Sequence, residues 1–362
     1  MLGGVPAVTD AAGKRGRGGQ YAKAVTDSTV RRRPTIDDVA AEAGVSRGTV
    51  SRVLTGGHWV SPESLDAVNR AIKKVGYRIN PHARNLATSK ANSIAFLLTE
   101  SHERLFEDPN FSILMRGAAQ ALEERDLPLV LLMAGSDAEQ RRAADFILAG
   151  HVDGVLLVSS HTGRLDFMSE LVAANIPAIA CGVPIGFERK IGYVSAADAD
   201  GARSAVEYLR EQGRRRIATI AGPQDTSGGV ARLAGYREEL GEDFDESLVA
   251  IGDYSRASGA TAMAELLERD PQIDAVFVAN DLMAAGALDV IQAAGRSVPD
   301  EIAIVGFDDS PVAVTTTPQL TTMRQPFERI SNEMVRLLMQ VIEGQPAAAL
   351  TVPTELVRRG SA

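Results

Sequence analysis

Residues Thr35–Thr55 read TIDDVAAEAGVSRGTVSRVLT, and the spacing of their apolar side chains decides what stands at the head of this chain. Thr35 with Asp38 three positions on is a capping-box pattern, and Ile36, Val39, Ala40 and Ala43 then share one helical face. The next three residues, Gly44-Val45-Ser46, form a turn: glycine permits the positive φ a sharp reversal needs, and Val45 can plug the angle between two helices. A second helix turns Val50, Val53 and Leu54 inward, so Arg47, Gly48, Ser51, Arg52 and Thr55 point outward. This is helix-turn-helix spacing, in which the N-terminal end of the second helix enters a DNA major groove. An arginine fork matches guanine O6 and N7, whereas Ser and Thr suit phosphates or mixed base contacts. The alternative is a small helical pair with an incidental arginine face. A third helix opens at Ser61-Pro62-Glu63, turns Leu65, Val68, Ile72 and Val75 inward, and stops at Gly76.

Working outward, residues 1–33 are rich in Gly, Ala and Arg without an apolar period and are expected to be disordered. The full chain has 362 residues, 45% of them apolar and 23% charged, enough for two or three domains with their own cores. Its net charge of −9 is unevenly spread: residues 1–90 carry 15 Lys or Arg against 7 Asp or Glu, leaving 23 against 40 for the rest. A basic head on an acidic body is the electrostatic footprint of a phosphate-backbone binder, although a solvated basic tail would have the same composition. No stretch has the length of a membrane span and no secretory signal is evident, so a cytoplasmic protein without a membrane partner is expected. The lone Cys181 excludes an internal disulfide and reads as a small buried hydrophobe.

From about Ser93 the chain alternates short β-rich runs with helical segments. The runs include Ile94–Leu98, Leu129–Met133, Val155–Val158, Pro177–Cys181, Ile217–Ile220, Ala275–Val278 and Ile302–Val305. Such alternation predicts parallel sheets covered by helices on both faces. The echo of Val152-Asp153-Gly154-Val155 in Ile273-Asp274-Ala275-Val276 predicts two α/β lobes with a cleft between them. Enzyme signals are missing. Gly44-Val45-Ser46-Arg47-Gly48 fits G-x-S-x-G, but a helix rather than a strand precedes Ser46, which makes it a helix cap rather than a nucleophile. There is no HExxH or P-loop, and the five histidines lack ligand spacing, so neither a metal nor a cofactor is expected.

Thr35–Leu54, followed by Val60-Ser61, Gly76-Tyr77-Arg78 and Asn80, resembles the DNA-binding headpiece of the lactose/galactose repressor family. The likeness extends over nearly all of residues 35–359. It passes through Val152-Asp153-Gly154, Arg232-Leu233-Ala234-Gly235-Tyr236, Ala279-Asn280-Asp281-Leu282-Met283-Ala284, Val305-Gly306-Phe307-Asp308-Asp309 and Leu320-Thr321-Thr322-Met323-Arg324-Gln325-Pro326. The resemblance implies that Thr35, Thr49 and Ser51 hold phosphates, that Arg47, Gly48 and Arg52 occupy base-reading positions, and that Thr55 assists. Gly48 has no side chain there, so base choice falls to the arginines. Asn80–Ala87 matches a hinge helix that forms on operator DNA and inserts a leucine, here Leu86, into the minor groove.

For the body, the resemblance implies a periplasmic-binding-protein-like (type I) fold, two lobes joined by three crossing strands with a sugar between them. Arg232, Tyr254, Asp281 and Gln325 match or adjoin ligand-holding positions, and Phe106 or Phe111 is a candidate stacking platform. By spacing alone, Asp281 reads more readily as a helix N-cap, Arg232 as a surface ion pair and Tyr254 as core. Two departures, Gly182 in place of an acidic residue and an insertion over Ser101–Phe106, point to a wider cleft and hence to an oligosaccharide or glycoside.

The expected chain is therefore a disordered extension (1–33), an all-α head (34–79) and a hinge with linker (80–92). Two lobes follow, 93–193 with 326–348 and 194–325 with 349–362. The expected function is a homodimeric, sugar-responsive transcriptional repressor on double-stranded operator DNA. The rival reading is a solute-binding protein of a sugar transporter, which would need export and have no use for the head.

Overall fold

The computed structural model describes residues 32, 34–54, 60–77, 90–159, 161–162 and 165–362. Thr55, Asn80, Leu86, the whole hinge segment and nearly all of the N-terminal extension lie outside these residues. The chain divides into two compact units, Met1–Arg84 and Asn85–Ala362.

In the first unit α1 (Ile36–Ala43), α2 (Arg47–Leu54) and α3 (Pro62–Val75) enclose a small core of Val39, Ala40, Val50, Val68 and Ala71. Both arms of the capping box at Thr35 are made: Asp38 N–H donates to Thr35 Oγ1, and Thr35 N–H donates to Asp38 Oδ2 at 2.6 Å. Gly44 ends α1 at φ 68°, the left-handed conformation that a side chain would resist. Ser46 accepts from Thr49 N–H at 3.1 Å and so starts α2 as its cap, which removes the nucleophile reading. Val45 packs against the core as expected; Leu65 departs from expectation, lying outside that core and 42% exposed.

The second unit holds two six-stranded sheets. Its first half runs β1 (Ile94–Leu98), α4 (His102–Glu107), α5 (Pro109–Glu123), β2 (Leu129–Met133), α6 (Asp137–Leu148), β3 (Gly154–Val158), α7 (Leu165–Ala173), β4 (Ala178–Cys181) and β5 (Gly192–Ala196). It continues through α8 (Asp198–Glu211), β6 (Ile217–Ala221), α9 (Ser227–Leu240), β7 (Val249–Ile251), α10 (Arg256–Arg269), β8 (Ala275–Val278), α11 (Asp281–Ala293), β9 (Ala303–Asp308) and β10 (Thr321–Arg324). The chain closes with α12 (Phe327–Ile342), β11 (Ala349–Val352) and β12 (Glu355–Val357).

One sheet has the order β11-β5-β4-β3-β1-β2 and is parallel throughout. The other, β12-β10-β9-β8-β6-β7, is parallel except at β12, which pairs antiparallel with β10. Apolar clusters lie on both faces of each sheet, which is why β1, β3, β6, β8 and β9 are buried along their whole length.

The chain passes between the sheets three times: after β5, between β10 and α12, and between β11 and β12. The first and third crossings fall a few residues beyond the expected boundaries at 193 and 348. Both β5 and β11 belong wholly to the first sheet. They were missed because GYVSA and ALTV lack the apolar density of the central strands.

Candidate functional site

On the head, Arg47, Gly48, Ser51 and Arg52 are exposed on α2, and Thr49 is half-buried with its hydroxyl 2.9 Å from Ser46 Oγ. Arg52 Nε donates to Gly48 O at 3.2 Å, which lays the guanidinium along the helix; Arg47 makes a loose pair with Asp37 at 3.7 Å. Both arginines thus sit on the face that the inward packing of Val50 leaves free. The Thr35 hydroxyl is already engaged in its cap, donating to Asp38 Oδ2 at 2.8 Å, and these hydrogen bonds hold the Asp38 carboxyl below its ordinary pKa.

In the body, a cavity of about 160 Å³ lies between the two lobes beyond the C-terminal strand ends. Arg232 of α9 is its buried anchor. Nε donates to Asp198 at 2.8 Å, Nη1 donates to Ala279 O and lies 3.4 Å from Asp308 Oδ1, and the guanidinium stacks 3.8 Å from the Phe307 ring centroid. Asp198 starts α8 just after the first crossing. Gln325 stands on the second crossing and donates from Nε2 to Asp308 Oδ1 at 2.5 Å. Asn110 of α5 donates from the other lobe to Asp308 Oδ2 at 2.8 Å, while its own Oδ1 is buried without a protein partner. Asp308 is therefore a hub fed by both lobes. Burial raises its carboxyl pKa to about 7; Arg232 opposes this and the neighbouring Asp108 adds to it.

Tyr254 also lines the cavity. Its backbone has φ 71°, a conformation costly for a non-glycine residue, and its carbonyl accepts from Asn280 Nδ2 at 3.0 Å. The ring packs against Gly222, where an added Cβ would fall 2.4 Å from it. Glycine is what lets this platform sit so close to β6. Phe111 lines the opposite lobe.

Four of the six expected effector residues, Arg232, Tyr254, Gln325 and Phe111, therefore meet in one cavity. Asp281 and Phe106 do not. Asp281 is fully buried behind the cleft, accepting from Thr322 Oγ1 at 2.6 Å and Ser310 N–H at 2.7 Å. Its neighbour Asn280 is the N-cap and the cavity-lining residue of the pair. Phe106 is 86% exposed on α4 and lies outside the cavity. Sequence reading missed Asp308, Asn280, Asn110 and Asp198. The signal for Asp308 was its place at the C-terminal end of β9, where ligands gather in open α/β sheets.

Gly182 also borders the cavity, 2.9 Å in Cβ terms from Ser227 Oγ of the other lobe. Beside it burial pushes the Cys181 thiol up to about 12, which leaves it an inert wall. Among the described residues no cluster could hold a metal ion, and no helix is long and apolar enough to cross a membrane.

A helix-turn-helix head followed by a two-lobed, cleft-bearing body is the build of a ligand-responsive transcription regulator. Residues 35–80 match the model of bacterial regulatory proteins of the lacI family, and residues 206–362 match the periplasmic binding protein-like domain. The chain is 45% identical to the HTH-type transcriptional regulator CelR of Thermobifida fusca, over 91% of this chain and 99% of that protein. It is 33% identical to the HTH-type transcriptional repressor CytR of Escherichia coli (strain K12), over 90% and 96%. This chain belongs to the lacI family of bacterial regulatory proteins. Among solved structures, a CelR–cellobiose complex aligns with a TM-score of 0.73 at 43% identity, covering 91% of this chain and 100% of that one. The lac repressor dimer bound to operator and the anti-inducer ONPF aligns with a TM-score of 0.79 at 28% identity, covering 91% and 99%.

Proposed function

We propose that this regulator is a cytoplasmic homodimeric repressor whose hold on a two-fold symmetric operator is changed by a two-ring sugar of the cellobiose class bound between its lobes. The observation that carries this reading is the cavity itself. Arg232, Asp308, Asn110, Asn280 and Gln325 present a convergent set of donors and acceptors suited to ring hydroxyls, and Tyr254 and Phe111 offer faces for the apolar side of a pyranose. The likeness to a regulator solved with cellobiose supports the same ligand class.

On DNA, Arg47 and Arg52 read bases, and Thr35, Thr49 and Ser51 hold phosphates. Thr55, Asn80 and Leu86 complete the set from outside the described residues. A dimer presents two heads, which a pseudo-palindromic site matches.

The test is fluorescence anisotropy of the full-length protein on DNA flanking its own coding region, over a salt series and with cellobiose or glucose added. The expected result is one saturable complex, weakening steeply with salt, whose affinity cellobiose shifts and glucose shifts less. Salt-dependent binding indifferent to cellobiose, and to longer β-linked glucans, would refute the sugar assignment.

A further inference from the structure

Helix α4 brings a cation to the cleft. Arg104 lines the cavity, and its side chain is only 16% exposed. Its Nη1 donates across the cleft to Asp253 O at 3.0 Å, its Nη2 faces Asp108 Oδ2 at 3.5 Å, and its Nε faces Glu100 Oε2 at 3.9 Å. The same guanidinium lies 5.5 Å from the Tyr254 ring centroid and 5.9 Å from that of Phe111. One cation therefore sits against both aromatic faces and two carboxylates, groups that would otherwise meet a ligand.

Resting on the sugar reading above, we propose that Arg104 is a displaceable plug standing where the second ring of a two-ring sugar binds, and that it thereby sets discrimination by ring number. With Arg104 in place the cavity is about 160 Å³, roughly half the lower end of the 300–1,000 Å³ typical of ligand sites. A second ring needs the volume that the guanidinium fills. Its exit exchanges like for like: Glu100 Oε2 and Asp108 Oδ2 trade loose ion pairs for sugar hydroxyl donors, and the Tyr254 and Phe111 faces trade a cation for C–H groups. The bonds given up are weak in geometry, one hydrogen bond to a carbonyl and two pairs beyond 3.4 Å.

Arg104 helps to keep Glu100 ionised but is not its main support. Burial works to raise its carboxyl, but hydrogen bonds from His161 and Ser159 hold it below its ordinary value. His161 Nε2 lies 3.1 Å from Glu100, and its Nδ1 lies 2.9 Å from Asp225 of the other lobe. When Arg104 leaves, an anchored acceptor remains. A monosaccharide held at Arg232 and Asp308 leaves Arg104 where it stands.

The test is calorimetric titration of the full-length wild type, Arg104→Ala and Arg104→Lys with glucose and with cellobiose, thermal melts certifying each fold. Arg104→Lys keeps the charge near the carboxylates but loses the fork that bridges to Asp253, so it guards against an alanine variant that does not fold. The expected result is that Arg104→Ala binds cellobiose at least threefold tighter while its glucose affinity moves less than twofold, with Arg104→Lys between it and wild type. Cellobiose binding weakened or unchanged in both variants would overturn the plug, making Arg104 a ligand contact or a bystander, and would leave the sugar reading intact. A wild type that binds neither sugar would overturn that reading and the plug with it.

Discussion

Replacing Arg232 by methionine should cost the body about 3–5 kcal/mol, the usual penalty for removing one partner of a buried ion pair. The magnitude follows from what is left behind. Methionine keeps an apolar stem over Phe307, where the guanidinium now stacks at 3.8 Å, so little packing is lost. Two carboxylates lose their cation: half-buried Asp198, bonded at 2.8 Å, and buried Asp308 at 3.4 Å. The loss should depend on pH, with a sign that can be worked out. The Asp308 carboxyl is raised from 3.8 to about 7 in the folded protein, and without Arg232 it rises further. The folded state then binds a proton that the unfolded chain has released, so stability falls as pH climbs from about 4 through the folded pKa, by about 1.4 kcal/mol per unit while the group titrates. Urea unfolding followed by circular dichroism should show a larger deficit for Arg232→Met at pH 8 than at pH 5.5. Adding Asp198→Asn and Asp308→Asn should restore much of the stability without restoring sugar binding. An equal deficit at both pH values, with no recovery in the triple variant, would refute the account of Arg232 as counter-ion to these carboxylates.

Arg52→Ala should weaken specific operator binding by about 1–3 kcal/mol in anisotropy titrations while leaving the melting temperature nearly unchanged, because the side chain is exposed. Thr35→Ala removes both the acceptor for Asp38 N–H and the hydroxyl that Asp38 binds, and should cost the head about 1 kcal/mol in chemical unfolding. Cellobiose affinity should rise between pH 6 and pH 8 as Asp308 ionises among Arg232, Asp198, Asp108, Asp281, Gln325 and Asn110, and Asp308→Asn should flatten the profile. A flat wild-type profile would remove Asp308 from sugar recognition. The factor by which cellobiose changes operator affinity should equal the factor by which operator changes cellobiose affinity; calorimetry with and without the operator duplex measures both sides, and unequal factors would mean that sugar and DNA are not linked in one equilibrium.

The head was legible almost to the residue, because local chemistry decides it. A capping box at Thr35, a left-handed glycine at 44 and a hydroxyl cap at Ser46 each act within four residues of chain, and sequence shows them directly. The central strands were legible for a related reason: buried on both faces, they read as unbroken apolar runs. Strands of mixed composition such as β5 and β11 take their structure from neighbours far away in sequence, and nothing local marks them. The cleft was half legible. Arg232 and Asp281 both lie within motifs of the family, but motifs do not state which way a side chain points. At the start of α11 the helix geometry turns Asn280 toward the cavity and Asp281 toward Thr322. Asp308 and Asn110 lie 198 positions apart and meet only because α5 begins, and β9 ends, at the same cleft.

The same juxtaposition bears on how a sugar could act at a distance. Gln325 stands on the second crossing and Asp198 just past the first, and both are bonded into the Arg232–Asp308 network at the cavity floor. A ligand that rearranges this network acts on residues whose backbone sets the angle between the lobes, whereas a ligand gripping either lobe alone would act on neither crossing. Asn110, Arg104 and His161 add bonds that exist only while the lobes face one another across the cleft. The posture of the body is thus held by polar contacts of the type a sugar hydroxyl can replace, each individually weak. The buried apolar clusters, by contrast, belong to the separate cores of the two sheets. Replacing several such contacts can supply the 1–3 kcal/mol by which allosteric sites are usually coupled without disturbing either core.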